Sequence, residues 1–148
     1  MRVAAWMKRD VVAVDPEQSL LRAEALMQRH ATRHLPVVRK GRLVGILTDG
    51  DLQAAKPSPA TTLLAQEVSY HLWTMKVREV MARDVVTVAP ATPLAQAARL
   101  MRDRNIGALP VLKDGELVGI LTDAGLMELL ESLLRDDGDP GPRFPEEW

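Results

Sequence analysis

Four polar residues sit where two apolar runs begin and end. Arg33 and His34 precede the run Leu35-Pro36-Val37-Val38, and Thr48 and Asp51 follow the run Leu43-Val44-Gly45-Ile46-Leu47. A hydroxyl and a carboxylate at a strand exit, with basic groups nearby, are the donors and acceptors that a ribose and a phosphate require. Elsewhere the chain has no comparable constellation: there is no Walker loop, no nucleophile elbow, and no paired carboxylate and base assignable to one cleft. His30, His34 and His71 have no ligand spacing and no cysteine beside them, so no metal site is expected.

The elements that would hold these groups follow from local pattern. Lys40-Gly41 between the two apolar runs suits a two-residue hairpin turn, because glycine takes φ > 0 without a Cβ clash. Both runs are nearly continuous in apolar residues, as in strands buried on both faces. Val11–Val14 reads as an earlier β-branched strand, parallel to the first hairpin strand. Between them, Leu20, Ala23, Leu26 and Met27 make one face of a helix starting at Ser19 or Leu20. Val3–Met7 is an apolar lead-in of one helical turn, and a further helix follows Thr48.

The chain then repeats this plan. Gly107-Ala108-Leu109-Pro110-Val111 matches Arg33-His34-Leu35-Pro36-Val37 at an offset of 110 − 36 = 74 residues, without a gap. Met7 returns as Met81, Arg9-Asp10-Val11-Val12 as Arg83-Asp84-Val85-Val86, Leu20 as Leu94 and Met27 as Met101; the recurring methionines read as core. Roughly half the positions from Val3 to Leu52 recur, which marks an internal repeat. Two copies are too few for a solenoid and suit two units packed about a pseudo-two-fold axis. In the second copy Thr92-Pro93 reads as an N-cap hydroxyl followed by proline at the first helical position. The expected architecture is α/β, more strictly α+β, with two βαββα units in pseudo-two-fold tandem. They divide as unit one over 1–56, a linker helix over 57–76, unit two over 77–135, and a flexible tail over 136–148. The linker helix, capped by Thr61 or Thr62 and carrying Leu63, Leu64, Val68, Leu72 and Trp73, would cover an open face or meet a second copy.

Size and composition set the class. The 148 residues are 47% hydrophobic, and 19 basic against 20 acidic residues leave a net charge of −1. That balance disfavours a DNA-binding protein held by bulk charge. No apolar run approaches membrane-span length and no signal-peptide pattern opens the chain. Cysteine is absent. A cytoplasmic protein with no membrane partner is expected.

The motif Gly-apolar-apolar-Thr-x-x-Asp after a Leu-Pro-Val strand resembles the cystathionine β-synthase (CBS) domain, and its duplication resembles the tandem pair called a Bateman module. The likeness covers about Val3 to Leu134. The segment from Ser58 to Leu63, continuing to Tyr70 and Lys76–Met81, is similar to CBS proteins of the acetoin utilisation type. Those usually carry a further C-terminal domain, so their narrower function is not inherited. The resemblance implies a disc with two clefts, no catalysis, and an adenine nucleotide (AMP, ADP or ATP) as ligand, with S-adenosylmethionine as the alternative. It implies that Asp51 accepts hydrogen bonds from the ribose hydroxyls and that Thr48 binds a ribose or phosphate oxygen. It also implies that Arg33 and His34 meet phosphate, that Val11 and Val12 lie by the adenine, and that Pro36 shapes the cleft wall. Gly125 and Gly107-Ala108 replace Asp51 and Arg33-His34 in the second copy, so the Thr122 cleft is expected to be weak or empty. Bland readings stand beside these: Asp51 as a helix cap, Arg33 and His34 as a solvated strand start, and the whole as a structural dimerisation module with vestigial clefts. A homodimer and a regulated partner protein complete the expectation.

Overall fold

A computed structural model describes residues 1–58 and 64–137 of the chain, with side chains to 135. The expected Thr61 or Thr62 cap, Leu63 and nearly all of the 136–148 tail lie outside the described residues. Unit one contains helix α1 (Leu20–Arg29), strands β1 (His34–Arg39) and β2 (Arg42–Thr48), and helix α2 (Asp49–Ala55). Helix α3 (Ala65–Thr74) follows. Unit two repeats the pattern as α4 (Leu94–Arg104), β3 (Ala108–Lys113), β4 (Glu116–Thr122) and α5 (Asp123–Asp137).

The hairpins form as the turn residues dictate. Lys40 and Gly41 take φ of 50° and 76°, and Asp114 and Gly115 take 53° and 82°. Positive φ at both central positions twists the turn in the sense that the flanking strands require. Each hairpin is antiparallel, pairing Pro36 with Ile46 and Pro110 with Ile120, with a register shift after Val37 and after Val111. Burial on both faces holds for Leu35, Pro36 and Val37, whereas β2 is buried only at Gly45 and Leu47.

Two local expectations need correction. Val11–Val14 is not a strand: Val14 alone bridges, in parallel, to Val37, and Val88 likewise to Val111. The Val11 N–H is turned back onto the Arg9 carbonyl at 3.0 Å, so the chain reaches the sheet for one residue only. The expected cap of the second unit's helix also differs. Ser19 caps α1 by accepting from the Arg22 N–H at 3.1 Å. In α4, Pro93 is itself the cap, and the Thr92 hydroxyl is taken by the Ala89 N–H at 3.0 Å.

The two cores do not follow the sequence repeat. Val77 and Met81 are buried with Leu20, Leu35 and Leu47 of unit one, while Val3 and Met7 are buried with Leu94, Leu109 and Leu121 of unit two. Each lead-in is thus lodged in the other unit. It is strapped there by matched backbone bonds: Val77 N–H to Gln18 carbonyl and Val3 N–H to Thr92 carbonyl, both at 2.9 Å. Past each lead-in the chain forms a two-way bridge to the opposite hairpin. Ala82 exchanges bonds with Ile46 at 2.9 and 3.0 Å, and Lys8 with Ile120 at 2.9 Å each way. Gly45 and Gly119 make this approach possible. A Cβ on Gly45 would stand 2.6 Å from Met81 Sδ and 2.8 Å from the Ala82 carbonyl, and one on Gly119 would stand 2.7 Å from Met7 Sδ.

Helix α3 packs on α1 and buries Leu72, leaving Tyr70 and Trp73 exposed. The corresponding face of unit two is an open apolar groove that includes Met1, Leu94, Ala98, Leu129 and Leu133. No described helix is long and apolar enough to cross a membrane.

Candidate functional site

The lead-in exchange decides what stands opposite Asp51. Because Ala82 pairs with Ile46, the residues that follow it, Asp84, Val85 and Val86, arrive beside Thr48 at the end of β2. Asn105, Ile106, Gly107 and Ala108, from the end of α4 into β3, complete a cavity of about 260 Å³ with Thr48, Asp51 and His34. Its size is close to the lower end for small-ligand sites, roughly 300–1,000 Å³.

Thr48 and Asp51 form a reciprocal capping box at the start of α2. The Asp51 N–H donates to Thr48 Oγ1 at 3.1 Å, and the Thr48 N–H donates to Asp51 Oδ2 at 3.0 Å. The capping role of Asp51 is therefore real, and it leaves Oδ1 without a protein partner among the described residues. Thr48 accepts from Asp51 and retains its own hydroxyl proton to donate. Asp51 is half-buried, and Val85 and Val86 are half-buried walls beside it.

The other expected site residues go elsewhere. Val11 and Val12 lie in a second cleft, with Thr122 and Ile120, as the counterparts of Val85 and Val86. Arg33 also lies in that cleft, against Thr122 and Asp123, together with Lys8. The reason is the same exchange: each unit's Val-Val pair and pre-strand residues face the other unit's Thr. Pro36 is fully buried in the core, and its carbonyl accepts from Val14 N–H at 3.0 Å, so it supports the sheet rather than forming the cleft wall. Asp84, Val85, Val86 and Asn105 were not anticipated. The 74-residue repeat names the two valines as counterparts of Val11 and Val12, but it does not reveal that the lead-ins cross over.

Among the described residues, His34 alone borders both clefts. Gly107 makes room for it: a Cβ there would lie 3.1 Å from His34 Cε1 and 3.1 Å from Asp123 Oδ2. Burial lowers the His34 pKa below its ordinary 6.5; Asp123 opposes this and Arg33 adds to it. The folded state then holds fewer protons than the unfolded state, so stability is full above pH 6.5 and declines as pH falls below that value. Melting curves from pH 8 to pH 5 are expected to show this decline, and His34→Asn to lose that component of it. An identical pH dependence in the variant would remove His34 as its source.

Known proteins share this fold. Residues 3–57 and 77–132 each match the family model of the CBS domain. A CBS domain-containing protein of Dictyostelium discoideum is 35% identical over 134 residues, covering 89% of this chain and 92% of that one. The crystal structure named for an acetoin utilization protein from Vibrio cholerae superposes with a TM-score of 0.76 at 32% identity, covering 95% and 98% of the two chains. A CBS domain pair solved in complex with 5′-methylthioadenosine and S-adenosyl-L-methionine gives a TM-score of 0.74 at 28% identity, over 89% and 97%. The chain spans only 22% of the length of an inosine-5′-monophosphate dehydrogenase of Korarchaeum cryptofilum, to which it is 32% identical over 122 residues.

Proposed function

The chain belongs to the CBS-domain family as a tandem pair, and from that premise we propose that it is a non-catalytic sensor taking an adenosyl ligand in the Asp51 cavity. It would act in the cytoplasm on a partner protein, through different affinities for two conformations of the module. One observation carries the reading: Asp51 keeps an uncommitted carboxylate oxygen in a cavity that also presents the Thr48 hydroxyl and the half-buried Val85 and Val86. A carboxylate matches the two hydroxyls of a ribose, and an apolar wall matches the face of a purine.

Charge refines the ligand. Among the described residues the cavity lining carries Asp51 and Asp84 and no lysine or arginine. With Arg33 in the other cleft, a phosphate tail would face carboxylates without a counter-charge. The lining therefore favours an adenosyl compound with a neutral or cationic tail, such as 5′-methylthioadenosine or S-adenosylmethionine, over AMP, ADP or ATP. The solved complex of a related pair with these two compounds supports the same class. A two-fold homodimer belongs to the proposal, since Met127, Leu130, Leu133 and Leu134 of α5 are exposed beside the apolar groove that α3 fills on the other unit.

Thermal melts test the reading. A ligand at 100 times its dissociation constant stabilises the fold by about 2.7 kcal/mol. S-adenosylmethionine and 5′-methylthioadenosine are expected to raise the melting temperature more than AMP does. No shift with any of the three would favour a structural dimerisation module instead.

A further inference from the structure

Among the described residues, His34 is the one basic side chain that lines the Asp51 cavity. It opens β1 and lies directly across the ladder from Thr48. Opposite residues of an antiparallel pair share a face, so the imidazole stands on the face that carries the Thr48 hydroxyl. The second unit has no counterpart, because Ala108 occupies the matching place opposite Thr122. Gly107, beside it, leaves the space that the ring of His34 uses. One imidazole therefore serves the middle of the molecule.

That ring is half-buried and its nitrogens are uncommitted among the described residues. The hydrogen bonds of His34 use its backbone, with the Thr32 hydroxyl at 3.2 and 3.3 Å. Charges face it from every side. Asp51 of α2 and Asp84 of the stretch after Met81 share its cavity. Across from them stand Lys8 and Asp10 after the first lead-in, His30 at the end of α1, Arg33 beside it, and Asp123 at the start of α5. Asp123 and the ring flank Gly107: a Cβ there would lie 3.1 Å from Asp123 Oδ2 and 3.2 Å from His34 Nε2. Burial and Arg33 drive the proton off the ring, and Asp123 holds it on.

We propose, resting on the Asp51 reading above, that His34 determines which ligand charge the Asp51 cavity accepts, by gaining or losing one proton. Neutral, it leaves the carboxylates of Asp51 and Asp84 as the charges of the lining, and a neutral or cationic adenosyl compound is favoured. Protonated, it gives the lining a cation with two N–H donors, and an anionic tail is accepted. The module then reads acidity and ligand in one event. Linkage sets the sign. In the free chain the ring loses its proton below the ordinary 6.5. A bound anion holds that proton on, so affinity for an anion rises as pH falls through this range, and affinity for a cation declines.

Titration calorimetry on the full chain tests this with two probes of fixed charge. Adenosine is neutral, and adenosine 5′-sulfate keeps one negative charge and both ribose hydroxyls from pH 8 to pH 5. AMP is unsuitable, because its phosphate titrates near about pH 6. Over that range the affinity for the sulfate relative to adenosine is expected to rise about tenfold, the scale of one hydrogen bond to a charged group. In His34→Gln the ratio is expected to stay flat. In Asp123→Asn the rise is expected to persist but to begin at lower pH. As a second measurement, the His34 ring proton is followed by NMR and assigned by its absence from His34→Gln. Its midpoint is expected below 6.5 in the free chain, moved upward by adenosine 5′-sulfate and not by adenosine. A flat ratio in the unaltered chain, or the same rise in His34→Gln, overturns the proposal while adenosine binding stands. Adenosine that fails to bind at any pH overturns the Asp51 reading itself, and this inference with it.

Discussion

Asp51→Asn is expected to weaken binding of an adenosyl ligand by about ten- to a hundredfold. A hydrogen bond to a charged acceptor contributes about 1.5–3 kcal/mol net, and the Asp51 carboxylate, which lines the cavity, is the acceptor proposed for the ribose. The complication is that Asp51 also closes the capping box of α2. Asparagine answers it, because its carbonyl oxygen can still accept from the Thr48 N–H, and the loss of a cap is worth about 1 kcal/mol at most positions. Folding and binding are thereby separated. A double comparison sharpens the test. 2′-Deoxyadenosine should already bind the unaltered chain poorly, and Asp51→Asn should cost it less than it costs adenosine. Equal affinity of adenosine for both proteins, by calorimetry, would rule out a sugar contact at Asp51.

Gly45→Ala is expected to destabilise the fold by about 1–3 kcal/mol, the usual cost of forcing a methyl into filled space. Met81 Sδ, 2.6 Å from the added Cβ, belongs to a flexible side chain that can yield. The Ala82 carbonyl at 2.8 Å cannot yield without loosening its bond from the Ile46 N–H. Asp84, Val85 and Val86 follow that bridge, so the Asp51 cavity should widen and ligand affinity should fall together with stability. Gly41→Ala is the control. Its φ of 76° makes it costly for a different reason, strain in the turn, and nothing lies within 4 Å of the added Cβ. It should destabilise without touching affinity. Urea unfolding that finds Gly45→Ala as stable as the parent would show that the bridge is not tight.

Much of this molecule is legible from residues near one another in the chain. The hairpins are marked by Lys40-Gly41 and Asp114-Gly115, the helices by Leu20, Ala23 and Met27 and their copies, and the pairing of units by the uninterrupted offset. Thr48 and Asp51 announce themselves as a strand exit with polar chemistry, and they do share a cavity. The failures have one physical source. Whether Met81-Ala82 docks on its own unit or on the other is settled by long-range packing at Gly45 and Gly119, and both choices satisfy the same apolar pattern. The sequence therefore groups Arg33, Val11 and Val12 with Asp51, whereas they stand across from Thr122. Val11–Val14 shows a smaller version of the same limit: β-branched residues favour a strand, but the turn at Arg9 and the position of Pro36 allow one paired residue.

The crossed lead-ins also bear on how the polypeptide is made. Residues 1–56 cannot complete a hydrophobic interior until Val77 and Met81 have left the ribosome, while Val3 and Met7, made earlier, must wait for Leu94, Leu109 and Leu121. Neither half is a separable piece that can be cut out at the repeat boundary and keep its shape. Closing such distant segments onto each other delays folding, and it should make the module melt as one body, so that a ligand held by one unit would stabilise both.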